Sequence, residues 1–280
     1  NCYMQKLVLT GAAGRLGSWL REPLSKLADS LVSTDIVEDI ENLYPGERYQ
    51  KANLESLDEM MSVIEGADMV VHFGAIGDER PFEELLGPNF VGAYNVWEAA
   101  YRHKVKRVIY ASSIHAVGMH DKNNFIGIDA PHRPDTFYGL AKCFAEDLGR
   151  MYFEKRQLES VHLRILSCAQ VNNSRALGSW LSYDDLIQLV TRAIDTPVTG
   201  FSVVYGVSNN DRVPVDNAGA SHLGFRPKDN AEQFSQEVFA NEPPIDPHSV
   251  RFNKHGGPFA ETPLGESGVA SMNIIEHSKK

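Results

Sequence analysis

Residues 6 to 17 read KLVLTGAAGRLG, Lys6 to Gly17. Lys6 to Thr10 is an apolar run short enough for a strand buried on both faces, and the glycines at 11, 14 and 17 then open a helical pattern from Leu16 to Ala28. A GxxGxxG turn between strand and helix lets backbone N–H groups approach a pyrophosphate at the helix N-terminus. Gly11, Ala13, Gly14, Arg15, Leu16 and Gly17 are therefore expected to cradle a dinucleotide. Asp35 closes the next apolar run, Leu31 to Asp35, where a carboxylate accepts hydrogen bonds from ribose hydroxyls and repels a 2′-phosphate. That favours NAD over NADP, although Arg15 suits either dinucleotide.

Outward from this unit, helical and strand patterns alternate. A helix is predicted over 57–65, a strand over 68–73, a helix over 88–103, a strand over 107–112, a helix over 138–155 and a strand over 160–165. Near-continuous apolar strands between amphipathic helices predict an α/β fold, a Rossmann-type doubly wound parallel sheet with its NAD-binding core in residues 4–167. After Ser167 the rhythm becomes irregular: a polar loop (Asn172 to Arg175), a helix over 184–194, a strand over 201–205, and a tail rich in Pro, Gly and Asn. Residues 168–265 are expected mainly to form a small substrate-binding lobe or lid, with elements returning to the core. Residues 266–280 are expected to be a flexible tail, and residues 1–3, ahead of Met4, a remnant outside the fold.

Asn53, Leu54, Phe73, Gly74 and Ala75 fall where the following strands should end, on the sheet edge that carries the glycine turn, and are expected to contact adenine and ribose. His72 beside them suits a buried strand-end histidine equally well. Asn89 suits either a water-bridged contact toward Lys142 or an ordinary polar position at a helix start. Tyr138 and Lys142 stand at i and i+4, on one face of the predicted helix. A lysine ammonium nearby favours the phenolate and moves the phenol toward the range a general base needs. Ser112 and Ser113 end the intervening strand. Ser113 is read as the hydroxyl that positions the substrate alcohol against Tyr138, with Ser112 its competitor.

The 280-residue chain is 42% hydrophobic and 23% charged, a globular composition, and its formal net charge of −10 argues against nucleic acid as a partner. Cys2, Cys143 and Cys168 are far apart, with no CxxC pair or histidine spacing for zinc, so no metal is expected. No apolar run approaches a membrane span and no leader pattern opens the chain, so the expected location is the cytoplasm.

Taken together, the glycine turn, Asp35, the serine pair and YxxxK resemble the extended short-chain dehydrogenase/reductases. RPDTFYGLAKCF (133–144), RMYFEK (150–155), LRILSC (163–168), NNSRAL (172–177), SYDDL (182–186) and LGFRPKDNAE (223–232) narrow the resemblance to the uronate dehydrogenases, over roughly residues 4 to 260. The resemblance implies NAD-dependent oxidation of C1 of glucuronate or galacturonate to an aldarolactone by a homo-oligomeric enzyme. In that pattern Tyr138 is the base, Lys142 its partner, Ser113 the hydroxyl contact and Arg175 the grip on the substrate carboxylate, with His115 and Ser167 lining the sugar pocket. Two positions depart from it. Gly77 stands where a serine is expected and Ile114 where an asparagine is usual, so two sugar contacts are altered; the segment before Arg175 is also about one residue shorter. Other functions open to the same fold are a nucleotide-sugar epimerase or dehydratase and a non-catalytic NAD-sensing protein.

Overall fold

The computed structural model describes residues 4–272. Its centre is a seven-stranded, all-parallel sheet in the order β3-β2-β1-β4-β5-β6-β7. β1 (Met4–Thr10) is followed by α1 (Arg15–Ser25), β2 (Ala28–Thr34), β3 (Glu47–Tyr49), α2 (Leu57–Ile64) and β4 (Met69–His72). The chain reverses across the sheet between β1 and β4, which opens a crevice at their carboxyl ends, the place where such sheets bind ligands. α3 (Phe82–Leu85), a π-helical segment (Leu86–Val91) and α4 (Gly92–Arg102) lead to β5 (Arg107–Tyr110), and α5 (Phe137–Arg156) leads to β6 (Glu159–Ile165).

The two faces of the sheet are read directly from alternation along the strands. Leu7 and Leu9 of β1 join a core layer with Leu20 and Leu24 of α1, whereas Val8 between them packs on the other face with Met60, Val96 and Trp97. After α6 (Ala176–Ser179), α7 (Tyr183–Asp195) lays Leu186, Leu189 and Val190 into the first of these layers, and β7 (Phe201–Gly206) pairs in parallel with β6. Beyond it the chain crosses the carboxyl edge as loops and short helices: α8 (Ser235–Asn241), α9 (Val250–Asn253) and α10 (Pro258–Glu261). Backbone hydrogen bonds from His255 to His120 and from Gly256 to Gly118 seat this segment on the loop after β5.

Three expectations differ from the structure. The first helix stops at Ser25, not Ala28, because Ala28 pairs with Met4 at the start of β2. The helix expected over 88–103 begins earlier, through α3, and passes through a π-helical turn in which Pro88, with no N–H to donate, is accommodated. Residues 266–269, expected in a flexible tail, are held down: Asp78 accepts hydrogen bonds from the Ser267 hydroxyl and from the N–H groups of Gly268 and Val269. Residues 1–3 and 273–280 lie outside the described residues. Among those described, no helix is long and apolar enough to cross a membrane.

Candidate active site

The glycine turn is built for close approach. Gly11 has φ +71°, and a Cβ there would lie 2.6 Å from the carbonyl carbon of Phe73; a Cβ on Gly17 would lie 2.0 Å from the Gly11 oxygen. Both positions exclude a side chain, so β1, β4 and α1 meet with backbone exposed at the helix start. Asp35 Oδ2 accepts from Ala13 N at 2.9 Å, which brings the carboxylate against the turn. An anion-accepting helix start with an adjacent carboxylate fits a dinucleotide: the turn would hold the pyrophosphate and Asp35 the ribose. Arg15 reaches across the crevice to the Cys168 carbonyl and the Tyr183 hydroxyl.

Behind the turn, the Asn53–Leu54 loop is pinned by Asn95 Nδ2, which donates to the Leu54 carbonyl at 2.8 Å, and Leu54 lies against Gly74. His72 takes the structural alternative. It is buried, its Nδ1 is 2.6 Å from Thr10 Oγ1, and burial, seconded by Lys142, pulls its pKa down to about 3. Asn89 is buried and engaged with the backbone. Its amide makes a two-way bond with the backbone of Ile76, accepting at 2.8 Å and donating at 3.0 Å, and so fixes the loop that carries Ala75 and Gly77.

At the catalytic end, Thr136 caps α5 by accepting from Gly139 N at 2.9 Å, and Tyr138 and Lys142 follow on one face. Lys142 Nζ donates to the Ala111 carbonyl at 2.7 Å and lies 5.0 Å from the Tyr138 ring centroid. The two serines separate by geometry. Ser112 donates its hydroxyl to Glu146 at 2.6 Å, whereas Ser113 Oγ accepts from His115 N at 3.1 Å and pulls the pKa of the Tyr138 phenol down. Burial lowers the Lys142 pKa to about 7, with the Glu146 carboxylate one turn on pulling it up. The Tyr138 phenol is pushed well above its ordinary value, first by burial and then by the Asp135 and Asp78 carboxylates, while Ser113 and Arg15 pull it down. The lowering expected of this tyrosine is thus outweighed by its enclosure.

His115 donates through Nδ1 to Asp135 Oδ2 at 2.7 Å, which leaves Nε2 for the cavity, and its ring stacks on Phe259 at 3.9 Å. Gly11, Gly14, Arg15, Leu16, Gly17, Phe73, Ala75, Gly77, Ser112, Ser113, His115, Tyr138, Lys142 and Ser167 line one cavity of ≈ 350 Å³. Arg175 lines an adjoining cleft of ≈ 530 Å³, and Met272 borders both. Its guanidinium donates to Ser167 Oγ and the His255 carbonyl, each at 3.0 Å. Enclosure lowers its pKa to about 10 against the pull of Asp135. Ile114 is placed otherwise than expected: its side chain is fully buried among Val117, Tyr205 and Val207 and does not face the cavity, which accounts for an apolar residue there. At Gly77 a Cβ would meet nothing within 4 Å.

Sequence reasoning missed Phe259, Val269 and Met272, which line the cavity from the far end of the chain, and Asp135, whose only signal was its place just before the α5 cap. It also missed Asp78 and Glu79.

A nucleotide-cradling turn joined to a serine, tyrosine and lysine on one crevice defines an NAD-dependent oxidoreductase of Rossmann fold. Comparison with known proteins narrows this. The model of the NAD dependent epimerase/dehydratase family matches residues 7–169. A uronate dehydrogenase of Pseudomonas putida is 44% identical over 258 residues, 91% of this chain and 95% of that protein. Two solved structures superpose closely: a mutant of the Agrobacterium tumefaciens uronate dehydrogenase complexed with NAD (TM-score 0.89, 38% identity, 94% of this chain and 98% of that one) and a glucuronic acid dehydrogenase of Chromohalobacter salexigens (TM-score 0.90, 35% identity, 93% and 98%). The chain belongs to the NAD-dependent epimerase/dehydratase family, and within it to the uronate dehydrogenases.

Proposed function

We propose that this enzyme oxidises C1 of a hexuronic acid, D-glucuronate or D-galacturonate in the pyranose form, to the aldarolactone. The observation that carries the substrate assignment is Arg175: an enclosed guanidinium at the edge of the catalytic cavity, hydrogen-bonded to two neutral groups, retains its charge for a carboxylate. Ser167, bridged to it, and His115, oriented by Asp135, extend that polar wall toward Tyr138.

In this reading the C1 hydroxyl lies between Ser113 and Tyr138. Ser113 orients it, and Tyr138 takes its proton as general base while C1 becomes a carbonyl carbon within the lactone. NAD, when bound, supplies the acceptor for the hydride lost from C1. Lys142, held between the Ala111 carbonyl and the Tyr138 ring, supplies the positive charge that favours the phenolate over the phenol. The segment after β7 serves as the lid over the sugar. The few, widely spaced cysteines suit a cytoplasmic setting, and the exposed Tyr94 and Tyr101 of α4 beside Phe144 and Met151 of α5 suit self-association.

Incubation with [1-¹³C]glucuronate and NAD tests the chemistry. One NADH per sugar and a C1 signal moved to the lactone carbonyl range are expected; NADH formed with the label still at an anomeric carbon overturns the assignment of C1.

A further inference from the structure

Asp78 and Glu79 follow Gly77 in the loop after β4, and both are buried. Glu79 turns its carboxylate onto the first turn of α5, where Oε2 accepts from Phe137 N at 3.0 Å and Oε1 from Tyr138 N at 2.8 Å. Those amides belong to the group that a helix leaves without internal partners, and a negative charge there is favoured by the helix dipole. Capping alone does not account for the arrangement, since Thr136 already takes Gly139 N and Glu79 makes a third contact: Oε2 also accepts from Gly265 N at 3.0 Å. Gly265 has φ +87°, a turn that starts the stretch Asp78 holds through Ser267, Gly268 and Val269. Val269 of that strap, and Met272 just beyond it, line the cavity. One carboxylate therefore joins the backbone of Tyr138 to the strap that covers the site.

We propose that Glu79 is a positioning residue that locks the Tyr138 backbone to the C-terminal strap 265–269, so that closure of the strap over the cavity and alignment of the phenol occur together. The inference rests on Tyr138 acting as the base. Its chemical logic is that all three contacts are donors to two carboxylate oxygens; an amide in the same place offers one oxygen and turns its NH₂ against an N–H. Glu79→Gln should therefore loosen both partners, while Asp78→Asn should free the strap alone.

The test is amide hydrogen exchange, read by mass spectrometry over residues 136–140 and 264–270, with NAD supplied and beside steady-state kinetics on glucuronate. For Glu79→Gln, exchange is expected to rise by about 10-fold or more in both stretches. Its kcat should fall by up to about 10²-fold, a larger change than that in KM, because a base moved by a fraction of an ångström loses its attack geometry. For Asp78→Asn, exchange should rise over 264–270 only, and the loss should fall on KM. Faster exchange of Glu79→Gln at 136–140 alone, or kcat equal to the parent's, overturns the proposal and leaves Glu79 a helix cap. If the parent itself does not oxidise uronates, the substrate assignment fails while the exchange pattern still decides the coupling. Should Glu79→Gln not fold, Glu79→Asp, which keeps the charge and shortens the reach, is read in the same way.

Discussion

In the proposed reading Tyr138 carries the chemistry and Arg175 the recognition, and single substitutions should separate them. Tyr138→Phe keeps the ring edge-on to His115 and removes the proposed proton acceptor, so kcat should fall by about 10²–10⁴-fold with NAD affinity retained. Arg175→Ala should cost about 10²-fold or more in kcat/KM for uronates, since the substrate carboxylate is left enclosed without its partner, again with NAD affinity near the parent's by titration. Equal losses of NAD binding would place Arg175 on the cofactor instead. Gly77 offers the opposite kind of test. Open space surrounds its absent Cβ, so Gly77→Ser should add one sugar contact and lower KM by about 2–10-fold; a raised KM would show the space is needed by the substrate itself. At this scale the sequence was informative where chemistry repeats in a short motif, as in YxxxK or the serine pair. It was silent about Phe259 and Met272, whose placement depends on the whole chain folding back, and it could not tell that Ile114 faces inward.

Among the elements, the strand–turn–helix opening is the most constrained. Gly17→Ala drives a methyl into the Gly11 carbonyl, so α1 must move away from the turn, at a cost of about 1–3 kcal/mol and with weakened NAD binding in a fluorescence titration. An unchanged melting temperature and NAD affinity would contradict that packing. Elements with a clear apolar period were legible: β1, β4, β5, β6, α5 and α7 fall within a few residues of expectation. β3 was not, because three residues whose first, Glu47, faces inward to pair with Arg21 at 2.8 Å carry no hydrophobic alternation. α8 to α10 escaped for a related reason. Helices of four to seven residues in a Pro- and Gly-rich tail are shaped by what they pack on, and their own sequences are too short to show a period.

For the molecule as a whole, buried histidines contribute to the response to acid. Burial pulls His72 down to about 3 and His162 to about 4, the latter against the pull of Glu146. The unfolded chain protonates both near 6.5, so between that pH and about 4 it binds more protons than the folded state, and stability falls as pH is lowered through this window. Thermal melts at pH 7 and pH 5 should show that loss, and His162→Gln should flatten the slope with pH whatever it does to the absolute stability. A parallel slope would remove His162 from the account. The all-parallel sheet and its crevice were expected from the alternation of patterns alone, because a buried sheet leaves little freedom in how strands and helices succeed one another. The segment after β7 was legible only as an irregular stretch, since loops that cross a sheet edge are specified by contacts distant in sequence. A crevice built for a sugar acid should show itself in the initial rate of NADH formation, with glucuronate and galacturonate set beside glucose and galactose. Turnover of the uronates with the neutral sugars slower by about 10⁴-fold is the predicted result; neutral sugars oxidised as fast as the uronates would contradict it.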